Sequence, residues 1–425
     1  MKKILNSRLK RNAIFSGGQA LISIASMFWA YRVLLQEVGI ERLGLWSLMI
    51  ASASIARAAD LTGAGGLSRF VAEAKSDRRD AASYVHTVVL STLALYTALL
   101  LIFLASGEYA LIRFIDPQLL DEAKSLLPLA LIVGLLMTPL SSTLTSGIDG
   151  VGRADQRAIL VIISNLLFLG AVLIFVPYFG VWAWGYAIVF QQAFKIFGAW
   201  AILTKHITGL GFLPTKWSNK VLRETVAYGL KIQANSIAMM LSDPVVKFIL
   251  NSYAGLEAVG LYDLGAKLVE ALRSVVVQMA TPLVPEFASL RMDGNRIRIL
   301  LRKSLQSVAT YAMVMLVSLV PIAPSYSVIM FGEINLELLM IIAALSTGYA
   351  VNIIAIPYYF AGVGLNYMRW NIGAHILMAA SILTIGIPLG AKFGSGGILV
   401  AIFLGTVGGA VMVVFGNGQF LRRRE

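Results

Sequence analysis

The chain contains no cysteine, so it has neither a disulfide framework nor a thiolate metal site. It is also short of charge. Asp, Glu, Lys and Arg make up 13% of its 425 residues, against about 25% in soluble domains. Histidine is scarce: His86, His206 and His375 lie far apart and form no metal-ligating spacing. No G-x-x-x-x-G-K-[ST] loop occurs, so the chain does not hydrolyse ATP by that route. No Ser-His-Asp or zinc spacing stands out. The stretches between apolar runs are short, the longest on the outer side being 107–125, which leaves little room for an extramembrane catalytic domain. No cofactor is implied.

What fills the chain instead is apolar sequence, 58% hydrophobic with mean hydropathy +0.79. This composition defines a polytopic membrane protein. A spanning helix needs roughly 20 apolar residues, and lipid offers no water to unpaired backbone groups, so helices are the expected element. A barrel would need short alternating segments, which are absent. Runs bounded by charge, Gly or Pro predict twelve transmembrane helices: 12–35, 43–68, 84–106, 126–148, 157–177, 181–203, 225–250, 258–283, 304–331, 335–361, 368–388 and 396–416. The first run is too long for a signal-peptide core and lacks a clear cleavage site, so it reads as a retained helix.

The net charge of +13 raises nucleic acid as a partner, but the charge positions answer to topology. Lys and Arg concentrate on the cytoplasmic side of membrane proteins. With the N-terminus inside, most of the 35 basic residues fall in cytoplasmic segments, and only Arg42, Arg113, Lys124 and Lys392 lie in outer ones. Both termini are therefore expected in the cytoplasm, and attraction to anionic membrane lipid accounts for the positive charge without nucleic acid.

The sequence repeats itself. Gly39-Ile-Glu-Arg-Leu-Gly-Leu-Trp-Ser-Leu48 returns as Gly255-Leu-Glu-Ala-Val-Gly-Leu-Tyr-Asp-Leu264, at an offset that also places Arg57 on Arg273. Six spans per half is an even number, so the halves enter the membrane in the same orientation. That predicts two six-helix lobes, 1–203 and 225–425, related by a pseudo-two-fold axis along the membrane normal. Between them, 204–224 holds Gly209, Gly211, Pro214, Lys216, Trp217, Lys220 and Arg223. It reads as an interfacial helix on the cytoplasmic surface or, in its first part, as a solvated linker.

Removing the loop charges leaves Arg32, Arg57, Lys195, Lys231, Lys247, Lys267 and Arg273 in or beside spans, against Asp60, Asp243 and Glu270. A charge at the bilayer centre costs at least about 2.5–3.5 kcal/mol, so such residues should face a bundle interior or a wet cavity. Arg32 and Lys247 lie near outer ends and are expected to snorkel. Arg57–Asp60, Asp243–Lys247 and the series Lys267, Glu270, Arg273 have helical pair spacing, which also allows purely structural neutralisation. The surplus of cations calls for an anion in a shared cavity. Pro244 should bend the seventh span, with Pro139, Pro321, Pro324 and Pro357 as further candidate kinks. Tyr178, Trp182, Trp184 and Tyr186 read as an interfacial belt, and Tyr358 and Tyr359 as candidate cavity linings.

The twelve spans, the two halves and the Gly-x-Glu-x-x-Gly-Leu-[Trp/Tyr]-x-Leu segments resemble the polysaccharide flippases of the multidrug/oligosaccharidyl-lipid/polysaccharide exporter superfamily, with the O-antigen flippases the most similar branch. That resemblance implies an inner-membrane, non-enzymatic flippase. It would carry an undecaprenyl-diphosphate-linked oligosaccharide from the cytoplasmic to the periplasmic leaflet by alternating access through a cationic central cavity. Other polysaccharide-assembly proteins are implied as partners. Arg57 and Arg273 match arginines on spans two and eight of the lipid II flippases. Lys195, Lys231 and Lys267 join them as candidate substrate-binding cations. Asp60, Asp243, Glu270 and Lys247 are candidates for charge pairing or for coupling to H⁺ or Na⁺. Two other readings stay open: a small-molecule extruder of the same superfamily, which for a cationic cargo would want an acidic cavity, and a membrane-bound O-antigen polymerase or ligase, which would want a large outer loop.

Overall fold

Backbone groups in an apolar chain must pair with one another, and helices are the outcome. The computed structural model describes residues 2–57, 66–76, 80–280, 283–290, 294–365 and 367–422. Those residues form helices α1 (Lys2–Val38), α2 (Ile40–Arg57), α3 (Leu67–Ser76), α4 (Ala81–Phe114), α5 (Pro117–Leu131), α6 (Thr138–Gly150), α7 (Ala154–His206), α8 (Asn219–Ala280), α9 (Leu283–Ser289), α10 (Gly294–Phe331), α11 (Leu336–Gly364), α12 (Arg369–Thr384) and α13 (Gly386–Arg422). No strand occurs among the described residues.

By length and apolarity alone, seven helices among the described residues qualify as membrane spans. Three helices are each broken once by a glycine, and two of them, α7 and α8, hold two expected spans each. The breaks are Gly180 in α7, Gly255 in α8 and Gly394 in α13. Gly180 (φ 55, ψ −136) and Gly394 (φ 58, ψ −138) have nearly the same dihedrals, in a region open essentially to glycine alone. They lie 214 residues apart, each after a phenylalanine. The repeat therefore extends to the last two spans of each half, beyond the glycine motif.

Proline was expected to make the kinks. Pro177, Pro244, Pro321, Pro324 and Pro357 sit inside helices, and the non-helical dihedrals inside α7, α8 and α13 fall on glycine. Pro139 has a different effect. Between α5 and α6, residues Ile132–Met137 form a π-helix. A proline ring clashes with the carbonyl four residues back, here Leu135, and widening the preceding turn relieves that clash. Thr138 then bonds the Val133 carbonyl twice, through its backbone N–H and through its hydroxyl at 2.8 Å.

The chain divides into two compact units, residues 1–39 with 49–237, and residues 40–48 with 238–425. The segment 204–224 thus falls in the first unit. Residues 207–218 form no helix. They dock as coil on the start of α4: the Thr215 N–H donates to His86 Nδ1 (3.1 Å) and the Ser218 N–H to Thr87 Oγ1 (3.2 Å). Tyr84 adds a hydroxyl bond to Glu224 (2.7 Å). Phe212, Leu213 and Trp217 remain exposed on this coil.

In the second unit the two copies of the glycine motif pack on each other. A side chain at Gly44 would strike the Leu256 carbonyl, and one at Gly260 would strike the Ile40 carbonyl. Gly44 and Gly260 are repeat mates, as are Ile40 and Leu256. The contact is its own image under a local two-fold, and small residues are what permit backbones to approach so closely in a membrane.

Candidate functional site

The first unit places a chain of neutral polar side chains between α1 and α7, whose apolar remainder packs along its length. Asn165 donates to Ser23 Oγ (2.6 Å), and Gln191 donates to Asn165 Oδ1 (2.7 Å). Beside them Ser141 donates to Gln192 (2.6 Å). Gln19, one helical turn before Ser23, keeps a buried Oε1 with no partner among the described residues. Lys195 follows Gln191 by one turn on α7 and is half-buried. Among the described residues it makes no ion pair within 4 Å. Arg32 lies with its guanidinium over the ring of the exposed Trp29 at 5.2 Å, and its Nε is buried without a hydrogen-bond partner among the described residues. Arg57 closes α2, but its side chain and all of Asp60 lie outside the described residues, as does the side chain of Lys231.

The second unit carries formal charge. Lys247 does not snorkel: its side chain is 7% exposed and bonds Asp263 at 2.8 Å and Asp243 at 3.0 Å. The correction comes from the turn at Gly255. Eight residues on either side of it bring Lys247 and Asp263 to the same level of one hairpin, and two buried opposite charges at that range hold each other. Asp263 was missed as a charge partner although it stands in the repeated motif. With it, the described side chains in the expected spans of this unit give three cations (Lys247, Lys267, Arg273) and three acids (Asp243, Asp263, Glu270), so the charges in those spans balance.

The balance is uneven in space. Arg273 makes no ion pair among the described residues. Its Nη2 and Nε donate to Asn352 Oδ1 at 3.0 and 3.3 Å, and its guanidinium lies 5.2 Å from the Tyr349 ring centre. Tyr349 and Asn352 are three residues apart on α11 and share a face. Lys267 and Glu270 are both exposed on the surface of their unit, and neither pairs with Arg273. A guanidinium held by one amide and one ring keeps donors for an oxyanion. Asn352 and Tyr349 carry no formal charge, so a search for charge alone passes over them. In the expected aromatic belt, Tyr178 and Tyr186 are exposed. Trp184 is buried instead, edge-on to Tyr31 (5.3 Å) and Phe168 (5.2 Å).

This helical fold is shared with known transporters. The chain is similar to an inward-facing multidrug resistance MATE family transporter of the MOP superfamily (TM-score 0.79, 14% identity, 95% of this chain and 98% of that one). It is also similar to the lipid II flippase MurJ in an inward closed conformation (TM-score 0.75, 12% identity, 95% and 87%). A third likeness is to a MOP superfamily transporter from Pyrococcus furiosus described as having a binding pocket of reverse polarity (TM-score 0.69, 15% identity, 98% and 96%). No curated protein matches the chain in sequence. The family model for polysaccharide biosynthesis proteins matches residues 12–291, and the chain belongs to that family. It is a multi-pass membrane protein with the fold of the MOP transporters.

Proposed function

We propose that this protein is a flippase that carries an undecaprenyl-diphosphate-linked oligosaccharide, an O-antigen-like unit, from the cytoplasmic to the periplasmic leaflet of the inner membrane. The reading takes twelve crossings in two six-helix halves with both termini inside, and it is supported by the breaks at Gly180, Gly255 and Gly394, each read as a turn. The observation that carries the reading is Arg273, a guanidinium in an expected span, held by Asn352 and Tyr349 and, among the described residues, by no carboxylate within ion-pair range. A diphosphate supplies the missing charge, and guanidinium binds phosphate oxygens in bidentate fashion. Arg57, its repeat mate, is assigned the same task from sequence, with Lys195, Lys231 and Lys267 as further cations. Membership in the polysaccharide biosynthesis family supports the substrate class, and the MurJ-like fold supports a lipid carrier.

Outward movement of a diphosphate is favoured by an inside-negative potential, at about 2.3 kcal/mol per charge per 100 mV. Asp60 and Glu270 are the carboxylates available to couple H⁺ or Na⁺, whereas Asp243 is committed to Lys247. The test is complementation of a strain lacking its own O-antigen flippase. Arg57→Ala and Arg273→Ala should each abolish surface glycan while the protein stays in the membrane. Normal glycan with both variants would sink the proposal. Restoration by the swap Arg57→Asp with Asp60→Arg would assign that pair a structural role.

A further inference from the structure

Away from Arg273, the second unit encloses a cavity of about 530 Å³ between the starts of α10 and the ends of α11 and α13. Its lining is mostly apolar, with two arginines set into it. Arg298 and Arg302 stand one turn apart on α10 with Leu301 between them, Tyr358 closes the α11 side, and Phe415 and Gln419 face in from α13. The volume suits a small head group. It shares no residue with the surroundings of Arg273. From its mouth, Val400, Leu404, Val411 and Phe415 continue along α13 as exposed apolar side chains, 44–66% accessible. Steps of four, seven and four residues keep them on one helix face.

We propose that this pocket binds an anionic phospholipid of the bilayer, its phosphate between Arg298 and Arg302 and one acyl chain along the apolar stripe of α13. Three features argue for that occupant. Two guanidiniums one turn apart match phosphate oxygens. A stripe that leads from the pocket along a spanning helix suits a chain that stays in the membrane. Basic pockets between helices at the cytoplasmic side are where anionic head groups are held, and Arg296, Arg298, Arg302 and Lys303 mark this end as the one read from loop charge as cytoplasmic. The orientation alone is shared with the flippase reading. A bilayer lipid is favoured over the transported one because the pocket is lined by three helices of one unit, apart from Arg273, and its volume of about 530 Å³ matches a single head group better than a chain of sugars.

The experiment uses the full-length protein in detergent micelles, titrated with phosphatidylglycerol and with phosphatidylcholine of the same acyl chains, adducts being counted by native mass spectrometry. Phosphatidylglycerol should bind at least about fivefold more tightly, since each basic residue near such a surface is worth about that factor. Arg298→Gln with Arg302→Gln should erase the preference, and both side chains are exposed, so the fold should stand. Arg298→Lys with Arg302→Lys should keep most of it. Gly418→Phe fills the pocket with both arginines intact and should also erase it. Equal binding of the two lipids by the native protein, or an unchanged preference in the double Gln variant, would overturn the proposal. So would displacement of phosphatidylglycerol by farnesyl diphosphate at equal or lower concentration, because the pocket would then take the transported class. Failure of the flippase proposal leaves this titration unaffected.

Discussion

The two halves repeat in sequence, yet they put polarity in opposite places. Lys247, buried between Asp243 and Asp263, occupies the repeat position of Tyr31, which packs on the ring of Trp184. Asp263 corresponds to Ser47, whose buried hydroxyl has no partner among the described residues. Near the other end of each half the relation reverses. In the 214-residue register, Asn165, Gln191 and Lys195 correspond to Ala379, Gly405 and Gly409. Gly405 and Gly409 pack directly against the backbone of Met378 and Ala374, whereas Asn165 and Gln191 hydrogen-bond. One half is therefore joined by amides in the place where the other is joined by close-packed glycine, and by rings in the place where the other uses ions. A shared backbone path tolerates either solution, provided that each polar group finds its partner. The conserved-in-register parts are the turns and the glycine crossing; the chemistry is free to diverge.

This contrast sets the order of expected effects. Lys247→Ala should be the most damaging, because it leaves Asp263 buried without its cation. Breaking such a pair costs about 3–5 kcal/mol, visible as a large fall in the melting temperature of the purified protein. Lys195→Ala, with no ion pair to break, should melt close to the native protein; a loss as large as that of Lys247→Ala would erase the distinction between the halves. Asn165→Ala and Gln191→Ala come next, at about 0.6 kcal/mol for each interhelical hydrogen bond in a membrane. A double-mutant cycle on the two should show coupling of that size, and none would mean that the amides are bystanders.

The smallest effect lies outside the spans. Asp80 caps α4, accepting from the Ala82 N–H (3.1 Å) and the Ser83 hydroxyl (2.9 Å). Burial pushes its carboxyl up, but the bonds from Ser83, the nearby Lys216 and the Ala82 N–H outweigh that and hold it below the usual carboxylate range. Its stabilising contribution is therefore complete above the unfolded carboxylate value near 4. It is lost as pH falls through the lower folded value. Asp80→Ala should cost about 1 kcal/mol at neutral pH, and the difference from the native protein should vanish in acid.

How much of this was legible from residues follows from how loudly each signal stands above an apolar background. Charges do so, and Arg57, Lys195, Lys247, Glu270 and Arg273 are found by inspection. The glycine motif is equally visible, and Gly44 and Gly260 prove to be its point of self-contact. The pairing of Lys247 with Asp263 is hidden by sixteen residues of separation until Gly255 is recognised as a hairpin. A positive-φ glycine midway between two charges is the signal that would have revealed it. Asn352, Tyr349, Asn165 and Gln191 give no such cue, since neutral polar residues do not interrupt a hydropathy profile. The π-helix before Pro139 depends on a backbone response that sequence marks only by the proline itself.

The central claim is that Arg273 keeps its charge for an anion rather than for the fold. It is tested most directly by thermal stabilisation of the purified protein with farnesyl diphosphate, native against Arg273→Gln in the background of Arg298→Gln with Arg302→Gln. The ligand should stabilise the protein when Arg273 is present, about tenfold more should be needed when it is replaced, and both forms should melt at similar temperatures without ligand. Equal stabilisation of the two, or a variant that has already lost its fold without ligand, would contradict it.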